Sequence, residues 1–183
     1  MEKNLYTLIV YSENIAGLLN QITAVFTRRQ INIESLNVSA SSIQGVHKYT
    51  ITAWVDAETI QKVVKQIEKK IEVIQAHYFT DDEIFYHEIA LYKLSTPKLE
   101  SDSYISKVIR RYGASIVEVN PVYSIVKKTG MSDEITALNS ELQSLGCVLQ
   151  FVRSGRVAIT KSCVERVNEY LDERAEKHRR YIQ

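Results

Sequence analysis

Cysteine is scarce in this chain, and no stretch of it is uniformly apolar. The two cysteines, Cys147 and Cys163, among 183 residues are too few for the disulfide framework of a small secreted domain, so we expect a reducing compartment. No window approaches the roughly 20 consecutive apolar residues that a transmembrane helix needs. Met1 leads almost directly into a strand-like run, without a basic start and a long apolar segment, so no signal peptide is predicted. A cytoplasmic protein fits these absences best.

The chain also lacks an excess of either charge. Its 23 Lys and Arg side chains nearly balance its 22 Asp and Glu side chains, so no global field would hold nucleic acid or a membrane surface. The 11 tyrosines could suit an RNA-binding sheet, but no RNP-like aromatic string is found among them. We therefore predict no nucleic-acid partner and no membrane partner.

Catalytic and metal-binding constellations are missing as well. The four histidines are scattered, and none forms a recognisable pair with a Ser or Cys nucleophile. His87 and Glu88 are adjacent in a predicted strand, where neighbouring side chains point to opposite faces. The cysteines lack the CxxC or Cys/His spacing of metal sites. No catalytic residue and no metal ligand is predicted in this chain.

What the sequence contains is an alternation of strand-like and helix-like segments, with 45% hydrophobic residues. In the first half, strands are predicted over 5–11, 31–39, 46–55 and 73–79. One helix is predicted from Leu18 to Arg29, and a second follows the candidate N-cap Asp56. The apolar stripe of this second helix consists of Ile60, Val63, Val64, Ile67 and Ile71. The predicted order is β-α-β-β-α-β.

The second half repeats this order after an acidic run, 81–83, which is interpreted as a linker. Strands are predicted over 84–94, 115–119, 122–127, 148–152 and 156–159. Two helices are predicted to end at Gly113 and Gly146. Ser132 is expected to cap the second of them, and Pro97 to interrupt the first strand.

Two such units predict an α+β fold with two tandem ferredoxin-like (βαββαβ) domains, each an antiparallel sheet with two helices on one face. We expect a first domain over 1–80, a second over 84–161 and a C-terminal helix over 162–183. Ser162 and Glu165 have the capping-box spacing that would begin this helix. Each sheet leaves an exposed edge strand, which commonly pairs with another copy, so a homodimer is predicted.

One segment near the N-terminus joins a turn to a helix in a way that suits a small anion. Asn14 tolerates left-handed dihedrals, and Gly17 lets the chain approach a ligand without a Cβ. The following helix leaves its first N–H groups unpaired at the positive end of its dipole, which favours a carboxylate. The amide of Asn32, at the start of the next predicted strand, suits an ammonium. A free amino acid would match this set, and so would a structural turn before an ordinary amphipathic helix.

The same segment carries a resemblance to a known family. The strings ENIAGLL over 13–19, VFTRR over 25–29 and NIESLNV over 32–38 resemble the regulatory small subunit of acetolactate synthase (acetohydroxyacid synthase). A further string, FVRSGRVA over 151–158, is similar to the segment of that family near its C-terminus. The likeness therefore touches both halves of the chain.

In that family the first unit is an ACT domain that binds the feedback inhibitor valine at the seam of a homodimer. The resemblance implies an effector site formed by residues of two copies, namely Asn14, Ala16, Gly17 and Leu18 of one and Asn32 and Ile33 of its mate. It also implies a non-catalytic subunit that activates the catalytic (large) subunit. Thiamine diphosphate, magnesium and FAD would be carried by that partner, and no cofactor by this chain.

Five positions depart from the family pattern: Asn20, close to the turn, stands where a small residue is usual, Gln21 where an arginine is common and Gln30 in place of the glycine before the strand, and Asn37 and Ser39 are also atypical. A bulkier polar side chain at position 20 would narrow or rewire the pocket. Isoleucine or leucine would fit the pattern as well as valine, since one methylene changes affinity by only about 1–3 kcal/mol. The alternatives left open are a free-standing amino-acid-sensing ACT regulator and a small ferredoxin-like enzyme or RNA-binding module.

Overall fold

The computed structural model describes residues 2–162 as two compact units, one of residues 2–85 with 158–162 and one of residues Tyr86–Val157. The predicted domain limits, 1–80 and 84–161, stay predictions. The body of the predicted C-terminal helix falls on residues 163–183, outside the described part of the chain. Within residues 2–162, no helix combines the length and apolar character that crossing a bilayer requires.

The first unit is an antiparallel sheet with two helices, in the predicted β-α-β-β-α-β order. Its elements are β1 (Asn4–Glu13), α1 (Leu18–Thr27), β2 (Ser35–Ala40), β3 (Val46–Val55), α2 (Ala57–Glu68) and β4 (Val73–Phe79). The strand order is β2-β3-β1-β4, so β2 and β4 form the edges. The spans predicted for β3 and β4 are confirmed residue for residue.

Both helices of this unit bury one apolar stripe in the core, as their spacing predicts. The buried helix residues are Leu18, Ile22, Val25, Phe26, Ile60, Val63, Val64 and Ile67. Asp56 is the N-cap of α2, as predicted: the Thr59 N–H donates to its carboxylate at 2.9 Å, which lowers the pKa of Asp56. The prediction that Ile71 continues the stripe is wrong, because α2 ends at Glu68 and Ile71 is 80% exposed.

The end of α1 explains a second difference from the predicted elements. Gln30 has a φ of 55°; its N–H donates to the Thr27 carbonyl oxygen and the Ile31 N–H to that of Phe26, each at 3.0 Å. This pattern is a Schellman C-cap with Gln30 at the left-handed position. The chain then crosses from the helix layer to the sheet, so β2 begins only at Ser35. The prediction that Asn32 opens the strand is therefore wrong, and it precedes β2 in a loop.

Replacing Gln30 with glycine is expected to stabilise the first unit by roughly 0.5–1 kcal/mol, because a side chain is strained at positive φ and glycine is not. Urea unfolding followed by the fluorescence of Trp54, the single tryptophan, which lies on β3, measures the change. Gln30→Ala is the matched control, since alanine retains a Cβ and should give no gain. Equal stabilisation by both substitutions would contradict the strain argument.

The second unit has the same strand order with added elements. The elements from residue 84 onward are β5 (Ile84–Ser95), α3 (Thr96–Ser101), α4 (Ser103–Arg111), β6 (Ser115–Val119), β7 (Tyr123–Gly130), α5 (Ser132–Ser144), β8 (Val148–Arg153) and β9 (Val157–Thr160). The first two residues of β5 and the last three of β9 are grouped with the first unit. The sheet order is β6-β7-β5-β8, and β9 pairs with β5. Gly113 and Gly146 end α4 and α5 at positive φ, 62° each, as predicted. The predicted fold class, with two ferredoxin-like units in tandem, is confirmed.

Two local predictions for the second unit are wrong. Pro97 does not interrupt β5; it lies in the first turn of α3, a helix that was not predicted. A proline is tolerated there because the first N–H groups of a helix have no partner within it. Ser132 does not cap α5, since the N-cap position is Met131 and has no side-chain cap.

Candidate functional site in the first unit

The turn between β1 and α1 is exposed and held in one conformation by backbone bonds. Gly17 has φ 86° and ψ −10°, and among residues 2–162 nothing beyond its chain neighbours lies within 4 Å of where its Cβ would be. The Asn14 N–H donates to the Gly45 carbonyl oxygen at 3.0 Å, which ties the turn to the loop between β2 and β3. The left-handed Gly17 therefore presents an open backbone surface at the start of α1.

The amide hydrogens of this turn decide what it could bind. The Leu18 N–H donates to the Ile15 carbonyl oxygen at 3.3 Å, so the prediction that the Leu18 amide is free for a ligand is wrong. Within the described residues, no hydrogen-bond acceptor is found for the N–H groups of Ala16, Gly17, Leu19 and Asn20. They lie at the positive end of the α1 dipole, and this arrangement suits a single carboxylate.

Two apolar side chains that the sequence analysis did not include in the site, Ile15 and Leu19, flank the turn. Ile15 is 47% exposed and Leu19 is 38% exposed, whereas the side chain of Leu18 is fully buried. A sequence signal for this existed, because consecutive residues of a helix point about 100° apart, so Leu18 and Leu19 cannot both face the core. Ile15 and Leu19 provide aliphatic contact area beside the amides.

Asn32 and Ile33 lie at the other end of α1 from the turn. A helix of ten residues separates the two ends by about 15 Å. Asn32 is exposed and lines a cavity of about 280 Å³ with Trp54 and Thr59, while Ile33 is partly buried against the core. One protomer therefore does not bring these residues to the Gly17 turn. Their meeting across two copies, as predicted, stays a prediction.

The second unit contains a buried charged cluster that sequence reasoning also missed. The Glu88 side chain is 3% exposed and accepts hydrogen bonds from Ser132 Oγ at 2.5 Å and Arg153 Nε at 2.6 Å. These contacts pair the carboxylate inside the unit, which indicates a structural role. Among residues 2–162, no three His, Cys, Asp or Glu side chains group as a metal site.

Comparison with known proteins agrees with this architecture. A family model described as an AHAS small subunit-like ACT domain matches residues 8–75, and one described as the small subunit of acetolactate synthase matches residues 87–162. The acetolactate synthase small subunit of Bacillus subtilis (strain 168) is 32% identical over 168 residues, covering 91% of this chain and 95% of that protein. The Haemophilus influenzae small subunit is 29% identical over 154 residues, covering 84% and 94%.

A solved structure gives the same result for the fold. The crystal structure of the acetolactate synthase small subunit of Thermotoga maritima has a TM-score of 0.78 and 24% identity, covering 88% of this chain and 99% of that one. By fold and family model, the first unit is an ACT domain, followed by a second unit of the same topology. The chain belongs to the family of acetolactate synthase small subunits.

Proposed function

We propose that this chain is the non-catalytic regulatory subunit that activates the acetolactate synthase catalytic subunit and confers feedback inhibition by valine. The observation that supports effector binding is the Gly17 turn, whose N–H groups at Gly17, Leu19 and Asn20 have no acceptor within the described residues. We propose an ACT domain over 1–80 as the part that holds this site. Thiamine diphosphate, magnesium and FAD would belong to the catalytic partner.

In this proposal the three parts of valine meet three kinds of group. The carboxylate accepts hydrogen bonds from the unpaired amides of the turn, and the ammonium donates to the carboxamide oxygen of Asn14 or Asn32. The isopropyl group lies against Ile15 and Leu19. An effector that works near 0.1 mM needs only roughly 5–6 kcal/mol, which a few hydrogen bonds and one buried aliphatic group supply.

A homodimer would complete this site. Strand β2 forms one edge of the first sheet, and its outer backbone groups are available for pairing with β2 of a second copy. Such pairing would bring Asn32 and Ile33 of one copy toward Asn14 and Gly17 of the other. Because both copies would contribute, valine would favour one arrangement of the dimer over others and bias the attached catalytic subunit.

The positions that depart from the family pattern have specific surroundings in the structure. Asn20 is exposed in the first turn of α1, and Gln21 accepts a long hydrogen bond, 3.4 Å, from Lys70 Nζ. The Gln21 side chain is thus turned toward α2. We propose that Asn20 restricts the size of the effector side chain.

The test is to mix the purified chain with the acetolactate synthase catalytic subunit of the same organism and to measure acetolactate formation with and without valine. We expect a higher rate on mixing and a loss of rate on adding valine. An unchanged rate on mixing would reject the regulatory-subunit proposal. Activation without any valine response would reject only the effector part, and isoleucine and leucine would then be tested in the same assay.

A further inference from the structure

A groove of about 340 Å³ lies between α1 and α2 in the first unit. Its lining combines carboxamides, cations and two apolar residues: Asn20, Gln21, Gln66, Arg28, Lys70, Ala24 and Val25. Within residues 2–162, no acidic side chain contributes to the lining. The groove is therefore rich in hydrogen-bond donors.

The cations of this groove are poorly neutralised within the described chain. Arg28 is exposed, and no acidic partner for its guanidinium is found among residues 2–162. Within the described chain, the bond found for Lys70 Nζ is the 3.4 Å hydrogen bond to Gln21. Arg29 is next to the groove in sequence and donates a 3.1 Å hydrogen bond to Gln66 Oε1, which lines it. Unpaired cations beside one another raise the local positive potential.

This charge is concentrated in the helix layer and is not a property of the whole chain. Residues 18–30 and 57–70 contain six basic and two acidic side chains, whereas the full chain has 23 basic and 22 acidic ones. A nearly neutral protein with one basic layer has a preferred face for an acidic partner, because complementary potentials steer association and fix orientation.

We propose that the α1–α2 groove docks an acidic segment of the catalytic subunit, an inference that rests on the proposed regulatory function. Carboxylates of that segment would pair with Arg28 and Lys70, and its backbone would bond the carboxamides of Gln21 and Gln66. RNA, the other anionic partner, is disfavoured because none of the described residues that line the groove is aromatic, so none could stack on a base.

The position of the groove would link docking to the effector. Asn20 and Gln21 belong to the first turn of α1, which begins at the Gly17 turn, so one short helix carries both surfaces. A ligand that shifts the start of α1 changes the groove as well. Coupling between two sites requires such a shared element with two arrangements.

The test is the double charge reversal Arg28→Glu/Lys70→Glu, with affinity for the purified catalytic subunit measured by calorimetry at 50 and 200 mM salt. We expect at least a tenfold rise in Kd at the lower salt and a smaller salt dependence than for the unmodified chain, since exposed charges are screened by salt. The Kd of the neutral variant Arg28→Gln/Lys70→Gln should lie between that of the unmodified chain and that of the charge-reversal variant. A Kd within twofold of that of the unmodified chain for both variants would overturn the proposal.

The matched control is Lys107→Glu/Arg110→Glu on α4, which makes the same change in charge at two exposed positions of the second unit. The Kd of this control should stay within twofold of that of the unmodified chain. If the control loses as much affinity as the groove variant, the effect is due to net charge and the groove assignment is overturned. Circular dichroism confirms that each variant is folded. If the unmodified chain does not bind the catalytic subunit at all, the proposed function fails. If the unmodified chain binds and the groove variants bind with the same Kd, this inference alone fails. Salt-sensitive RNA binding that the reversal abolishes, with catalytic-subunit binding unchanged, would assign the groove to RNA instead.

Discussion

Replacing Gly17 with aspartate is expected to abolish inhibition at the valine concentration that half-inhibits the unmodified subunits, while leaving activation of the catalytic subunit intact. The substitution places a carboxylate beside amides that we propose receive the carboxylate of the ligand. Loss of a charge-assisted hydrogen bond costs on the order of 2 kcal/mol, so the valine concentration for half inhibition should rise about thirtyfold. Among the described residues, nothing beyond its chain neighbours lies within 4 Å of the new Cβ, so the Cβ itself meets no steric clash. The measurement is inhibition of the mixed subunits over a valine titration.

The matched control for this substitution is Gly17→Asn. Asparagine has the same shape and the same strain at φ 86°, which we expect to cost both variants roughly 1 kcal/mol of stability. It lacks the charge, however, so it should retain more of the valine response than aspartate does. Identical responses of the two variants would show that backbone strain, rather than charge, is responsible. A full valine response in both variants would show that the effector site does not lie at the Gly17 turn.

Replacing Arg153 with methionine is expected to destabilise the second unit by about 3 kcal/mol. The substitution retains an apolar stem but leaves the Glu88 carboxylate, 3% exposed, without its cation. A buried charge that has lost its partner strongly lowers the free energy of unfolding, because it is neither solvated by water nor paired. Urea unfolding followed by circular dichroism measures the total loss, and hydrogen exchange of β5 and β8 amides localises it to the second unit.

Two comparisons isolate the buried charge as the cause. Arg111→Met removes the cation of the Arg111–Glu141 pair, whose glutamate side chain is 22% exposed, and should have a smaller effect because water reaches the glutamate that remains. The double variant Glu88→Gln/Arg153→Met removes the stranded charge, so it should recover more than half of the stability that Arg153→Met loses. If the double variant is no more stable than the single one, the loss comes from packing and not from electrostatics.

Periodicity predicted most of the fold because each unit is built from short, strongly patterned elements. Strands β3, β4 and β6 were predicted at their observed limits, since turn residues or caps bound each of them. Errors arose where a local signal has two meanings. Pro97 was interpreted as a break, although proline also suits the first turn of a helix, and Ile71 matched the helical spacing of α2 although the helix had already ended.

The candidate site was only partly predictable, because a site depends on which polar groups remain unpaired. The Asn14–Gly17 turn and the helix after it could be identified from residue types. The exposure of Leu19 beside a buried Leu18 follows from helical spacing, but that Leu18 donates its N–H to Ile15 could not be predicted from those residue types. Backbone pairing is set by dihedral angles, which residue types restrict without fixing them.

The sequence by itself determined the order of strands and helices, the family strings and the Asn14–Gly17 turn before α1, since each depends on residues close together in the chain. Only the tertiary structure placed Asn32 in a cavity with Trp54 and Thr59, buried Glu88 against Ser132 and Arg153, and gathered Arg28 and Lys70 into one groove. Glu88 and Arg153 are 65 residues apart, and such pairs meet only once the sheet has formed. Local spacing encodes the elements, and packing between distant elements decides which charges and amides come together.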